Sequence, residues 1–420
     1  MRKFLYMTFG FFRRNRFLSV LVALELIAAA AVFSYVLTKL QYCFYAEKVY
    51  CDTGLDAYDH YTSNEMAHTS DPHADSGYES LPERFGGIAD VAFDYSFSVT
   101  RLSDAKLNNF DDPYSIMLVE PDFLSRLGLD IAKGEWFGAK AAEDGIPQAV
   151  LAGSAISKGD NIGDILKFVK IGGTDTETVF ACRLTGVLDY PGYFPDFQFM
   201  TTALTAQQLL AQNGNVVIIA DTPDAREALA PFNAYRYSSL TAFVKYKDGI
   251  TDSELAATRK ALAAEGTLIT REMILENTRA YTKSQLNTFL PIAIFLLVIA
   301  TFGLISSVAV TIYKMSGEFA VYYLCGASAR RCFGYSAAAI GILTAVGFGL
   351  NFGYLVYARA ARINDPIIFG TGSNAGGIIN GTTFALLGAY IIVAVSLAFL
   401  IAYSVFRSNS PVRAYTRARV

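Results

Sequence analysis

The chain has 420 residues, of which 53% are hydrophobic and 17% are charged, and its formal net charge is −3. Its mean hydropathy is +0.32, which is typical of a protein that combines membrane-spanning segments with a large soluble part. Because a nucleic-acid-binding surface needs a strong basic excess, the near-neutral charge excludes nucleic acid as a partner.

Four apolar segments reach the length of about 20 residues that a helix needs to cross the hydrocarbon core of a bilayer. They run over Phe17–Leu40, Phe289–Tyr313, Phe333–Ala358 and Thr383–Phe406. No cleavage site of small residues follows the first segment, which therefore reads as an uncleaved anchor. We predict a membrane protein with a four-helix transmembrane domain and a large outer domain between spans 1 and 2.

The basic residues orient these spans. Segment 1–16 carries five Lys/Arg residues, the loop 314–332 carries three and the tail 407–420 carries four. By the positive-inside rule these segments are cytoplasmic, and so are both termini. Segments 41–286 and 359–382 then lie outside the membrane. Segment 41–286 contains 20 Lys/Arg and 35 Asp/Glu residues, giving 20 − 35 = −15.

The outer segment alternates between short β-branched or aromatic runs and helical runs with capping residues, which indicates an α+β domain. Residues Tyr42–Tyr50 are predicted to extend the first span, and the polar run Cys51–Glu83 to form loop or short helix. The predicted strands are Ala89–Thr100, Ser115–Val119, Ala149–Leu151, Val179–Val187, Asn215–Ala220 and Ser239–Lys247. The predicted helices are Pro121–Leu127, Thr205–Gln212, Asp224–Ala230 and Thr251–Ala264.

The three histidines of the chain, His60, His68 and His73, lie within 14 residues and among carboxylates. Imidazole and carboxylate groups suit Zn²⁺, but the spacing matches no known closed metal motif. The cluster therefore forms either a metal site or, as we favour, a solvated acidic loop without metal.

Two features stand out within the spans. Glu25 is a carboxylate about a third of the way into span 1, where burial requires a polar partner or protonation. It is predicted to make a contact between helices or, alternatively, to belong to a substrate or proton site. Gly349 and Gly353 have the spacing that permits close helix approach, either within the chain or in a dimer.

The external cysteines Cys43, Cys51 and Cys182 are odd in number and do not form a disulfide framework. A Cys43–Cys51 bridge is one alternative. Three unpaired cysteines that act as small hydrophobic residues are the other.

Glu318–Arg331, with the sequence EFAVYYLCGASARR, resembles the segment after the second span of MacB/FtsX-type ABC transporter permeases. Three outer passages resemble the MacB-like periplasmic core domain in the same order: FLSRLGLDIAKGEWF (Phe123–Phe137), PQAVLAGSAISKGDNIGDIL (Pro147–Leu166) and CRLTGVLDYPGYFP (Cys182–Pro195). The chain departs from the family in its acidic, histidine-bearing insert, in the arginines of its last external loop, and in Tyr323, where the family usually has a basic residue.

The resemblance implies a permease subunit in a bacterial plasma membrane, paired with a second permease copy as a homo- or heterodimer. The residues that would contact the ATPase are Glu318, Phe319, Val321, Tyr322, Leu324, Gly326, Ala327 and Ser328. We expect Gly326 to end a helix and Ser328 to cap the next one. The chain has no G-x-x-x-x-G-K-[ST] phosphate loop, so ATP would be bound by a partner subunit and this chain would be neither an enzyme nor a cofactor-binding protein.

Three functions stay open. The implied one is extrusion of peptide-like or hydrophobic substrates, driven by the ATPase partner. The alternative is an FtsX-like regulator that transmits movement to an external cell-wall hydrolase or sensor. The third is a four-span receptor outside the ABC class.

Overall fold

The structure, a computed structural model, describes residues 16–64, 78, 80–103, 113–137, 145–153, 155–156, 159–170, 178–189, 194–195, 203–210, 215–235, 237–238, 241–314, 321–322, 324–360 and 378–408. The chain divides into two compact units. A helical unit comprises residues 1–41, 285–361 and 379–420, and an outer unit comprises residues 42–284 and 362–378.

Long apolar helices build the helical unit. They are α1 (Arg16–Asp52), α7 (Arg271–Lys314), α8 (Ala329–Ala360) and α9 (Gly381–Ser408). Among the described residues, three stretches are long and apolar enough to cross a membrane, namely Ser19–Asp52, Arg271–Gly303 and Arg330–Ala360. A shorter apolar stretch covers Gly381–Leu397. The predicted extension of the first helix through Tyr50 is confirmed, since α1 continues to Asp52.

Helix α7 begins 18 residues before the predicted span at Phe289. The part of α7 before Phe289 packs in the outer unit through one buried face. That face consists of Ile274, Thr278 and Thr282, at positions i, i+4 and i+8. Two of these three residues are threonines, so that face lacks the continuous apolar signal by which a helix is recognised in sequence. The helix then runs through Pro291 without interruption.

The outer unit contains two sheets. The first sheet has the order β12-β1-β11-β2, and all three pairings are antiparallel. Its strands are β1 (Asp59–Ser63), β2 (Ile88–Ala92), β11 (Ala242–Tyr246) and β12 (Gly266–Ile269). Helix α6 (Asp252–Glu265) precedes β12, which confirms the helix predicted over Thr251–Ala264. Its cap is Thr251, which forms a capping box with Glu254.

The second sheet closes six of its eight strands into a ring in the order β3-β4-β9-β6-β8-β7, because β7 pairs with both β8 and β3. Two pairings are parallel, β4 with β9 and β6 with β8. The strands are β3 (Asp94–Arg101), β4 (Tyr114–Val119), β5 (Ile131–Gly134), β6 (Gln148–Gly153), β7 (Ile165–Lys170), β8 (Phe180–Leu188), β9 (Asn215–Ala220) and β10 (Tyr237–Ser238).

Strands β4 and β9 of this second sheet are buried on both faces. Alternate residues of β4 separate into two cores, with Ile116 and Leu118 in one and Met117 and Val119 in the other, as the two-residue repeat of a strand requires. The short helices of the outer unit are α2 (Leu81–Arg84), α3 (Pro121–Arg126), α4 (Ala206–Leu210) and α5 (Pro223–Leu229). The α+β class is confirmed.

Two predictions for the outer segment need correction. The run Cys51–Glu83 is not all loop or helix, because β1 lies in it as an inner strand of the first sheet. A Cys43–Cys51 bridge is wrong. Both residues lie on α1, eight residues and therefore about 12 Å apart along the axis, whereas bridged Cα atoms lie within about 7 Å. Cys51 is free and exposed, and Cys182 is free and buried.

Candidate functional site

A tight turn precedes α8 in the helical unit. Val321, Tyr322 and Leu324 are helical, and the backbone then reverses at Gly326, whose φ is +83°. The amide of Ala327 donates to the Tyr322 carbonyl over 2.9 Å, and the amide of Cys325 donates to the Val321 carbonyl over 3.0 Å. These bonds satisfy carbonyls that a helix end would otherwise leave without partners. The predicted helix stop at Gly326 is therefore present.

Ser328 begins the next helix, as predicted. Its backbone carbonyl accepts from the amides of Arg331 (3.0 Å) and Cys332 (3.2 Å). Its hydroxyl accepts from the Arg331 amide over 3.4 Å. Since the first amides of a helix have no partners within it, this cap stabilises the start of α8. The helix stop and the cap together hold the intervening turn in one conformation.

The turn exposes apolar side chains. Leu324 is 73% exposed and Val321 is 56% exposed, while the ring of Tyr322 packs edge-on against Tyr335 with centroids 6.2 Å apart. Arg330 and Arg331 are also exposed. Exposed apolar groups beside basic ones on a rigid turn suit contact with a protein surface. Glu318 and Phe319, the remaining predicted contact residues, lie outside the described residues.

Inside the helical unit, Glu25 packs toward α7. A Cβ placed on Gly303 would lie 3.9 Å from the Glu25 carboxyl carbon. A buried hydrogen bond joins Asn351 Nδ2 of α8 to Ser34 Oγ of α1 over 2.8 Å. Sequence reasoning missed this pair, although an asparagine within a span is itself a signal, because intramembrane polar groups need partners.

The close approach of α8 to α1 occurs at Gly347. A Cβ there would lie 2.9 Å from Leu26 Cβ, closer than packed side chains come. At Gly349 and Gly353 a Cβ would meet nothing within 4 Å among the described residues, and both glycines are exposed. The described residues thus offer no intramolecular contact at the predicted pair, and its role in a dimer stays a prediction.

His60 lies in the outer unit on β1, fully buried, with its ring edge-on to Phe243 at 5.3 Å. Neither ring nitrogen has a hydrogen-bond partner among the described residues. Burial lowers the pKa of His60 to about 3. His68 and His73 lie outside the described residues, and no potential metal cluster occurs in the part of the chain that the structure describes. His60 itself is thus a core residue rather than part of a solvated loop.

Asp59, the neighbour of His60, is 1% exposed and accepts four hydrogen bonds. Arg259 of α6 donates to Oδ2 over 2.7 Å and to Oδ1 over 3.0 Å. The hydroxyl of Tyr246 donates to Oδ2 over 2.8 Å, and the backbone amide of Arg271 donates to Oδ1 over 2.9 Å. Asp59 therefore ties β1, β11, α6 and the first residue of α7 together.

Glu272 extends this network. Its carboxylate accepts from Arg259 over 3.0 Å and from Arg271 over 3.0 Å. Partial burial by itself would raise the pKa of Glu272, but backbone and side-chain hydrogen bonds and the charge of Arg259 lower it to about 2. Sequence reasoning missed this network, because its members are far apart along the chain.

The comparisons with known proteins concern the outer segment. Residues 56–258 match the family described as MacB-like periplasmic core domain. A search of curated proteins gave no match.

Three solved structures are similar at 12% identity. The extracellular domain of the noncanonic ABC-type transporter YknZ from Gram-positive bacteria has a TM-score of 0.29, covering 49% of this chain and 90% of its own. The periplasmic region of MacB from Actinobacillus actinomycetemcomitans has a TM-score of 0.32, and the match covers 55% of this chain and 98% of that region. A domain of a putative permease protein from Porphyromonas gingivalis has a TM-score of 0.26, and the match covers 50% of this chain and 83% of that domain. At these TM-scores the likeness carries no functional argument.

Proposed function

We propose that this chain is a permease subunit of the MacB/FtsX type of ABC transporter, and that it couples ATP hydrolysis by a separate subunit to movement of its extracytoplasmic domain. The match of residues 56–258 to the MacB-like periplasmic core domain supports this proposal. The observation that carries the proposal is the family match, made by a chain that also has long apolar helices. The work performed would be extrusion of a peptide-like or hydrophobic substrate from the outer face of the membrane.

The proposed arrangement has four spans, the fourth supplied by α9, and cytoplasmic termini. The outer domain is inserted between spans 1 and 2. The basic segments 1–16 and 407–420 support this orientation, since positively charged flanks stay in the cytoplasm. The turn before α8 then faces the cytoplasm, where an ATPase is available.

In this scheme the contact with the ATPase consists of Glu318, Phe319, Val321, Tyr322, Leu324, Gly326, Ala327 and Ser328. The helix stop at Gly326 and the cap at Ser328 make the turn stiff. A stiff turn would transmit movement of the bound ATPase to α8. ATP belongs to the partner subunit, and this chain binds no cofactor. Two permease copies, identical or different, are needed because ABC ATPases work as pairs.

Co-purification tests the contact. We expect an ATPase with a phosphate-loop sequence to co-purify with the wild-type chain from native membranes in mild detergent, as identified by mass spectrometry and ATP hydrolysis. Val321→Asp with Leu324→Asp places charges on an exposed apolar surface and should reduce recovery at least tenfold, a loss of about 1.4 kcal/mol in binding.

The matched control is Ile162→Asp, the same chemical change at a residue of the outer unit that is 44% exposed. It should leave recovery unchanged. Recovery of no ATPase with the wild-type chain would favour the receptor outside the ABC class. Full recovery of the ATPase with the double variant would mean that the ATPase contacts a different part of the chain. Recovery of a cell-wall hydrolase on the outer side would favour the regulator.

A further inference from the structure

The helical segment before the turn has two different faces. Val321 and Leu324 are three positions apart, so they share one face of a helix, while Tyr322 lies about 100° away from Val321 around the axis. Val321 is 56% exposed and Leu324 is 73% exposed, whereas Tyr322 is half-buried. The side chains available to a protein partner are therefore Val321 and Leu324, and the ring of Tyr322 is turned toward the chain itself.

Tyr322 contacts α8 across the turn. Its ring meets Tyr335 of α8 edge-on, with centroids 6.2 Å apart. Its backbone carbonyl accepts from the amide of Ala327 over 2.9 Å. Tyr322 is thus bound to the turn through its backbone and to α8 through its ring. Because aromatic pairs have a preferred geometry, a displacement of the segment before the turn acts on α8 through this contact.

Helix α8 is itself held by two other helices of the helical unit. Near its start the ring of Phe333 packs edge-on against Tyr403 of α9, with centroids 5.8 Å apart. Farther along, Asn351 donates to Ser34 of α1 over 2.8 Å, and Gly347 permits the close approach to that helix. Close-packed interiors are hardly compressible and therefore transmit displacements. Movement of α8 is thus shared with α1 and α9.

We propose that Tyr322 is a positioning residue for the ATPase contact. Its ring holds the segment before the turn against α8, so that a displacement imposed on Val321 and Leu324 reaches α8. The inference rests on the proposed function and divides the contact into two roles. Val321 and Leu324 determine whether the ATPase binds, and Tyr322 determines whether the movement of the bound ATPase is transmitted to α8.

The test uses the full chain co-purified with its ATPase from native membranes in mild detergent. Recovery of the ATPase measures binding. Hydrogen exchange of residues 329–340 of α8, without nucleotide and with ATP plus vanadate, measures whether movement of the ATPase reaches that helix. We expect vanadate trapping to change this exchange in the wild-type complex. Tyr322→Ala should keep recovery within about twofold of the wild type, while the vanadate-dependent change falls about fivefold or more.

Two further variants separate this role from a general effect on stability. Tyr322→Phe should restore the vanadate-dependent change, because the contact with Tyr335 is made by the ring. Tyr354→Ala is the matched control, since it removes the same kind of side chain from α8 itself. Tyr354 is 50% exposed and has no ring contact among the described residues, so neither recovery nor the vanadate-dependent change should differ from the wild type.

Three results would overturn the inference alone. The first is a loss of recovery with Tyr322→Ala as large as with Val321→Asp and Leu324→Asp, which would place the ring in the contact surface. The second is an undiminished vanadate-dependent change in Tyr322→Ala, and the third is the absence of that change in the wild-type complex. If no ATPase co-purifies with the wild-type chain, the proposed function fails and this inference fails with it. Recovery with the wild type thus distinguishes the two failures.

Discussion

His60 is the one histidine among the residues that the structure describes. It is fully buried against Phe243 and has no hydrogen-bond partner among the described residues. Burial penalises the charged ring and lowers the pKa of His60 to about 3, from about 6.5 in an unfolded chain. Between these two values the unfolded chain binds a proton that the folded chain does not bind.

The free energy of unfolding should therefore decrease as the pH falls from about 6.5 toward 3. From pH 8 to pH 5 we expect His60 to account for a loss of about 2 kcal/mol. Urea unfolding of the full chain in micelles measures it, with fluorescence of Trp136, the single tryptophan, which packs against the outer core. His60→Phe should abolish this part of the pH dependence, whatever its effect at pH 8.

The double variant His68→Asn with His73→Asn is the control, because it removes the other two histidines. It should keep the full pH dependence. If the slope disappears with this pair and persists in His60→Phe, the buried ring is not the titrating group.

Individual residues also mark the limit of sequence reasoning. His60 stands in an acidic, histidine-bearing run that by composition resembles a solvated loop. The burial of β1 between β11 and β12 makes it a core residue. No local pattern in Cys51–Glu83 predicts this, because β1 pairs with residues 181 to 209 positions away and that pairing determines which side chains are covered.

At the scale of elements, the turn between Leu324 and α8 follows from local chemistry. A glycine adopts the left-handed region without strain and a serine accepts bonds from the first amides of a helix. For that reason the stop at Gly326 and the cap at Ser328 were predictable. The same holds for α6, whose capping residues Thr251 and Glu254 are three positions apart, as the motif requires.

Gly326→Ala should loosen this turn, because an alanine at a φ of +83° is strained by about 1–2 kcal/mol. The amide of Ala327, which donates to the Tyr322 carbonyl, should then exchange with deuterium about tenfold faster in hydrogen-exchange mass spectrometry. Gly326→Asn is the matched control, since asparagine adopts the left-handed region more readily, and should retain most of the protection. Equal exchange in all three proteins would show that the glycine conformation does not hold the turn.

At the scale of the whole molecule, Asp59 joins segments that are far apart in the chain. Its partners Tyr246, Arg259 and Arg271 are 187, 200 and 212 residues away. They belong to β11, to α6 and to the first turn of the long helix α7. The network thus fixes where α7 begins within the outer unit.

Asp59→Asn should destabilise the outer unit by about 3 kcal/mol, the lower end of the range for breaking a buried ion pair. The buried anion is lost, and Arg259 keeps only the exposed carboxylate of Glu272 as an anionic partner. Urea unfolding followed by Trp136 fluorescence measures this loss. Glu265→Gln is the control. It breaks the pair of Arg84 and Glu265, 181 residues apart but with both side chains more than 40% exposed, and should cost less than about 1 kcal/mol. Similar losses in both variants would mean that burial does not set the strength of the Asp59 network.

The sequence by itself determined the apolar helices, the α+β alternation of the outer segment and the stop and cap of the turn before α8. Each of these depends on composition or on spacings of a few residues, because hydrophobic length, capping and glycine conformation are properties of short segments. Tertiary structure alone decided that His60 and Asp59 are buried and that Gly347 rather than Gly349 or Gly353 meets α1. Those outcomes depend on which distant segments pack together, and no short-range pattern encodes that choice.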